Sequence, residues 1–192
     1  MSAGGRARVT LKLATSLDGR IALANGVSQW ITGLESRAEV HRMRAAHNAI
    51  LTGIGTILAD DPCMTARPDG VAAPRQPDVL IMDSAGRTPS GAAVYAEPLR
   101  RVRIFADRDL KAAMAGYAHV MIEAGSAIAS AALAADLVDR IEWFRAPVVL
   151  GGDGLAAIAA LGLERLQLAP TFQRVGLVER GRDLHESYER VL

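Results

Sequence analysis

The residues with chemistry to offer gather first in the stretch 11–33, LKLATSLDGRIALANGVSQWITG. Lys12 stands inside an alternating apolar run in which Val9, Leu11 and Leu13 share one parity. Ser16, Asp18, Gly19, Asn25, Gly26 and Ser28 follow before Trp30, residue types that suit a site better than a core. The chain holds twenty arginines but only two lysines, Lys12 and Lys111. Lys12 therefore reads in one of two ways. It is an edge-strand side chain whose ammonium snorkels to water, or it is a proton donor that polarises a carbonyl, since a partly buried lysine has a tunable pKa and an arginine does not.

Two further groups have charge or polarity in a pattern. On a helix after Thr32, Arg37, His41 and Arg44 fall on one side, opposite Glu35, Glu39 and Arg42. Leu34, Ala38 and Ala45 border that basic stripe on one edge, with Val40 and Met43 on the other. Such a stripe needs anions, and both a ligand phosphate and buried carboxylates would serve. Glu123 closes a short apolar run, and Gly125-Ser126 then open an alanine-rich helix. Strand, acid, glycine, helix aims the first free amides and the positive end of a dipole past the strand's carboxyl end, where a diphosphate fits; an ordinary βα turn has the same spelling. Gly152-x-Gly154-x-x-Ala157 superficially matches a dinucleotide fingerprint. The next segment ends at Pro170 without the ribose-binding acid expected about twenty residues on, so it is discounted.

Elements must position these groups. Alternation and β-branching predict a strand over 7–14, and Thr32-x-x-Glu35 predicts a capping box for a helix to about Ala46. A strand over 48–52 runs through Gly53 and Gly55 into a brief helix ending at Asp60-Asp61-Pro62, followed by an irregular excursion over 63–77. Strands are expected over 79–82, 102–106 and 119–122. Asp107 or Asp109 should cap a helix through Met114, and the helix after Gly125 should reach about Leu137. Strands over 140–144 and 147–150, a short helix after Gly154, a strand over 165–168 and a hairpin over 172–178 and 184–191 complete the chain. The order implies a three-layer α/β/α domain with a mixed, mainly parallel sheet ending in an antiparallel hairpin, its ligand residues at the carboxyl ends of the parallel strands.

Bulk properties bound the rest. With 192 residues, half of them apolar and 22% charged, one globular domain over 7–192 is expected after a flexible start over 1–6. A net charge of +1 offers no general field for nucleic acid or an anionic membrane. Apolar runs break before the ~18 residues that a membrane span needs. The start MSAGGRAR lacks a signal-peptide core. Cys63 is the lone cysteine, without an internal disulfide partner or zinc-site spacing, so no metal is expected and a reducing cytoplasm is the simplest setting.

The run 11–33, together with VHRMRAAHNAILTGIGTILADDPCMTAR, the IEAG turn and the AP-VVLGG segment, resembles the reductase domain of the bacterial bifunctional riboflavin-biosynthesis deaminase/reductase. The resemblance covers nearly the whole chain, most specifically its first 67 residues. It implies a dihydrofolate-reductase-like fold and NADPH-dependent reduction of 5-amino-6-(5-phosphoribosylamino)uracil to the ribitylamino form. Ala14, Trp30, Thr56, Asp60, Ser84 and the helix start Gly125, Ser126, Ala127, Ile128, Ala129, Ser130 and Ala131 resemble cofactor-contacting positions. Ser28, Arg44, Met64, Arg67 and Glu123 resemble substrate-holding ones, with Arg44 and Arg67 as the phosphate clamp. Lys12 and Glu123 are then the catalytic candidates: Lys12 polarises or protonates the reacting group, and Glu123 places the substrate or tunes Lys12. Arg87, beside Ser84, is assigned to the 2'-phosphate of NADPH by its position alone.

Two departures stand out. The zinc deaminase signature is absent from the sequence, so the chain itself would carry out at most the reduction, with a separate deaminase as a possible partner. Ala124 replaces the family's usual second glycine, which limits the backbone at the diphosphate turn. Apolar tail strands and family habit suggest a homodimer. Two other readings stay open: a reductase of the same fold acting on another pterin, pyrimidine or carbonyl compound, and a non-catalytic nucleotide-binding partner of a separate deaminase.

Overall fold

The structure is a computed structural model and describes residues 5–191. In chain order the elements are β1 (Arg8–Thr15), β2 (Arg20–Ala22), α1 (Leu34–Ala46), β3 (Ala49–Gly53), α2 (Ile54–Asp60), β4 (Asp78–Met82), β5 (Val102–Phe105), α3 (Leu110–Ala113), β6 (His119–Ile122), α4 (Ser126–Ala134), β7 (Arg140–Arg145), β8 (Leu155–Ala156), β9 (Phe172–Arg180) and β10 (Asp183–Arg190). Eight strands form one sheet in the order β5-β4-β3-β6-β1-β7-β10-β9. The first six run parallel, and β10 reverses direction against β7 and β9.

Period-two alternation divides the core between the two faces of this sheet. Leu11, Leu51, Leu80 and Ile122 point to one side, where Leu110 of α3 and Ala129, Ala132 and Leu133 of α4 cover them. Ile50, Val79, Ile81 and Met121 point to the other, against Ile54 and Ile57 of α2 and Met43 of α1. These are the expected three layers. β1 follows the same rule with a different outcome. Its Val9, Leu11 and Leu13 enter the first core, whereas Thr10, Lys12 and Ala14 face the α1 side.

Several expectations are corrected. Pro147–Leu150 is no strand, because both edges of β7 are already taken by β1 and β10. That segment instead hydrogen-bonds the loop after β1, Leu17 N–H donating to Val148 O at 2.7 Å. No helix follows Gly154. A Cβ there would lie 3.0 Å from Ala22 O, so the glycine lets Leu155–Ala156 pair closely with β2, a strand too short to be read from its sequence. Arg165–Leu168 forms a 3-10 turn over Leu166–Leu168 rather than a strand. The helix after Gly125 ends at Ala134, short of Leu137.

The capping box at Thr32 does not form either: Gly33 is the N-cap of α1 and no side chain of its own segment caps the helix. Asp183, at the start of β10, accepts instead from Gly33 N–H at 2.7 Å and Ser36 Oγ–H at 2.6 Å. Of the two aspartates offered for α3, Asp109 is the cap, accepting from Ala112 N–H at 2.9 Å. Within the segment 1–6, residues 1–4 lie outside the described residues, and Arg6 is paired with Asp139 at 2.7 Å.

Candidate active site

Strand register turns three separate sequence positions into one row. Ile122 pairs with Leu11 on one side and Leu51 on the other. The residues that follow, Lys12, Glu123 and Thr52, therefore lie side by side at the carboxyl end of the central strands, under α1. Glu123 N–H extends the ladder by donating to Leu51 O at 3.0 Å.

Arg44 reaches this row from the last turn of α1. Its Nε donates to Glu123 Oε1 at 2.7 Å and its Nη2 to Oε2 at 2.9 Å, a bidentate pair. Both partners are largely withdrawn from solvent, with side chains 15% and 8% exposed. Arg44 Nη1 also donates to Thr65 O at 3.1 Å, and Nη2 lies 3.8 Å from Met64 Sδ. Of the two anion sources that the basic stripe allowed, a buried carboxylate is the one paired with Arg44.

The electrostatics follow from this packing. Burial opposes charge on Glu123, but Arg44 in front of it and Lys12 beside it outweigh that and hold its carboxyl below the usual carboxylate range. Burial pushes the Lys12 ammonium below its ordinary value; Glu123 partly restores it and Arg44 lowers it again. Lys12 makes no ion pair within 4.0 Å among the described residues. It is a half-buried amine with a depressed pKa and a free donor, the properties of a proton source. The Thr52 hydroxyl beside Glu123 is buried without a partner among the described residues. Sequence reasoning passed over Thr52 as a side chain, because its place beside Glu123 depends on register with β6.

Loops complete the cleft. Met64 is buried and held at φ 52°, a left-handed conformation that a methionine rarely adopts. Arg100 Nη1 fixes its carbonyl at 2.8 Å, while Gln76 brackets Ala66 N–H and C=O at 2.8 and 2.9 Å. Arg67, next in line, is exposed and its guanidinium has no partner among the described residues. Ser28 Oγ and Gln29 Nε2 reach Asp60 Oδ1 at 3.3 and 3.4 Å, which ties the loop after β2 to the end of α2. Trp30 is 66% exposed, with the Arg37 guanidinium 4.5 Å above its ring.

Asp18, unexplained from sequence, has a clear place. Its carboxylate accepts from Ser16 Oγ–H at 2.6 Å and from the amides of Leu150 and Gly151 at 3.0 and 2.8 Å. It joins the loop after β1 to the glycine loop before β8. The Ser16 hydroxyl first, then those amides, lower its carboxyl to about 2.

At α4 the first-turn amides have no side-chain cap, and a Cβ on Gly125 would meet open space. This end fits a diphosphate. Gly53 lies close by, since a Cβ there would come 2.6 Å from Ile128 Cδ1, and this brings the start of α2 and half-buried Thr56 near α4. Ala124 is not in the left-handed region, and its methyl packs against the core, so it leaves the turn open. Ala127 and Ala131 are exposed on the helix. Ala129 and Ser130 turn inward, Ser130 Oγ accepting from Ala159 N–H at 2.7 Å. Ser84 and Arg87 are exposed on the loop after β4, two strands away from β6 and apart from the Lys12 row.

Comparison with known proteins bears on the family and the fold. The RibD C-terminal domain model matches residues 7–185. The riboflavin biosynthesis protein RibD of Mycobacterium tuberculosis is 37% identical over 182 residues, covering 94% of this chain and 53% of its own length. The chain thus spans about half the length of the curated relatives it matches. Among solved structures, Acinetobacter baumannii RibD superposes with a TM-score of 0.86 at 30% identity, over 97% of this chain and 59% of that one. The Thermotoga maritima diaminohydroxyphosphoribosylaminopyrimidine deaminase/5-amino-6-(5-phosphoribosylamino)uracil reductase gives 0.82 at 27%, over 97% and 57%. The fold is the dihydrofolate-reductase-like one, and the chain belongs to the RibD C-terminal domain family.

Proposed function

We propose that this chain is an NADPH-dependent reductase of riboflavin biosynthesis that converts 5-amino-6-(5-phosphoribosylamino)uracil to 5-amino-6-(5-phosphoribitylamino)uracil. The observation that carries the reading is the Lys12 ammonium, depressed in pKa and without an ion pair among the described residues, set beside the buried Arg44–Glu123 pair.

The open-chain substrate presents an electrophilic carbon at C1', and NADPH, when bound, supplies the hydride. The nitrogen or oxygen on that carbon must gain a proton as the hydride arrives. Lys12 holds that proton at Nζ, and its lowered pKa makes the transfer easier than from an exposed lysine. Glu123 keeps Arg44 in place and lends Lys12 a negative field that partly offsets its burial. Ser28, Met64 and Arg67 border the substrate, and Ala14, Trp30, Thr56 and Asp60 border the cofactor. The α4 start holds the diphosphate, with Ser84 and Arg87 toward the 2'-phosphate. Val175 and Leu177, exposed on the edge strand β9, support a homodimer formed across the hairpin, which analytical ultracentrifugation would read directly. A cytoplasmic setting and a separate deaminase partner belong to the same reading.

The test is steady-state oxidation of NADPH. The protein should consume it with the phosphoribosylamino substrate, and Lys12→Ala should lower kcat by about 10²-fold or more. Full turnover in that variant would remove Lys12 from the chemistry.

A further inference from the structure

Arg44 has little left to offer a substrate phosphate. Two of its nitrogens serve Glu123, Nη1 serves Thr65 O, and Nη2 also faces Met64 Sδ. Resting on the reading above that the substrate is phosphorylated, we propose that His41 is a ligand of that phosphate, binding it through Nε2 in a site completed by Arg67 and the field of Arg44.

His41 lies one turn before Arg44 on the same side of α1. Its Nδ1 is 3.0 Å from Thr65 O, the carbonyl that Arg44 also uses, and 3.3 Å from Arg67 N. One nitrogen cannot donate to the carbonyl and accept from the amide at once. Two protonation patterns therefore compete, and Nε2 has no partner among the described residues. A phosphate resolves the competition. With both ring nitrogens protonated, Nδ1–H is held by Thr65 O and Nε2–H is free to donate to a phosphate oxygen.

The surrounding charges give this contact a pH signature. Burial first, then Arg44 on the same helix and Arg67 on the facing loop, keep the His41 imidazole below its ordinary pKa. Thr65 O and the more distant Glu123 only partly offset them. An incoming dianion reverses the balance, so binding should take up a proton at His41.

Two experiments decide the point. Imidazole nitrogens would be followed by NMR during titration with ribose 5-phosphate, with ribose as control and His41→Gln to assign the signal. The His41 midpoint should rise with ribose 5-phosphate and stay put with ribose; an unchanged midpoint with both would overturn the proposal. In kinetics, the amide of His41→Asn replaces Nδ1 and keeps the bond to Thr65 O, whereas that of His41→Gln reaches toward the Nε2 position. Asn should raise KM for the phosphorylated substrate about tenfold with a much smaller change in kcat, and Gln should stay nearer the parent. Asn at the parent KM would reduce His41 to a loop latch. Because the titration uses ribose 5-phosphate without turnover, it reads the phosphate site even if the assigned reduction fails.

Discussion

A buried carboxylate is costly unless matched, and Glu123 is matched twice, by a forked guanidinium and by an ammonium at a longer distance. That arrangement sets one carboxylate between a guanidinium and a lysine under α1, a site suited to an anionic substrate. Asp18 works differently. It lies at the surface and spends its two oxygens on one hydroxyl and two backbone amides. Asp18→Asn would place N–H groups against at least one of those donors. Its expected effect is amide exchange faster by on the order of tenfold at Leu150 and Gly151, with the global fold retained. Unchanged exchange there would show that the glycine loop holds itself. Since the carboxyl sits at about 2 in the folded protein, below its unfolded value, the tie is fully present above about pH 4 and is lost only as pH falls through about 2. Loss of activity between pH 5 and 7 would have to come from another group.

At the scale of elements, α1 is the delivery arm for Arg44 and His41, and its first turn is fastened from the far end of the chain. Asp183→Ala removes both the bond to Gly33 N–H and the bond to Ser36 Oγ–H. The expected cost is about 1–2 kcal/mol of unfolding free energy, the usual range for losing a helix cap. Urea denaturation would measure it, and Ser36→Ala in the Asp183→Ala background should add little because both changes cut the same contact. Equal stability of Asp183→Ala and the parent would show that Gly33 needs no partner. Sequence alone could not reveal this cap. Thr32-x-x-Glu35 had the local spelling of a capping box, but the acceptor that won came from 150 positions away. The same contrast runs through the chain. The Lys12 strand was legible because alternation is a local signal, the strand 119–122 because a short apolar run is, and Arg44 because helical spacing is. The β2–β8 pair depended on Gly154 approaching another segment's backbone, and Thr52 joined the site only through register with β6. Neither has a signature within one short window.

For the whole molecule, the site is a place where function opposes stability. Lys12 occupies a face that β3, β4 and β6 fill with apolar side chains, and its folded pKa lies below its unfolded value of about 10.4. Between those two values the unfolded chain binds the extra proton, so stability rises with pH through that window. Below the folded pKa the protein carries a constant penalty. Lys12→Met keeps the length and removes the charge. It should therefore raise stability at pH 7 by about 1 kcal/mol or more while lowering kcat by about 10²-fold or more. Shifted groups away from the site do not confuse the comparison. Glu142 and Glu186, held below their usual range, lose stability on the acid side, while Tyr117 and Tyr188, pushed up, lose it on the alkaline side. All four are shared by both proteins and drop out of the difference. Plotted against pH, the gap in thermal midpoint between Lys12→Met and the parent should shrink as pH rises from the folded toward the unfolded pKa of the lysine. A lower midpoint for Lys12→Met at pH 7, or a gap that stays constant to pH 11, would mean that the ammonium is already stabilised in place and that its pKa is not held down by burial.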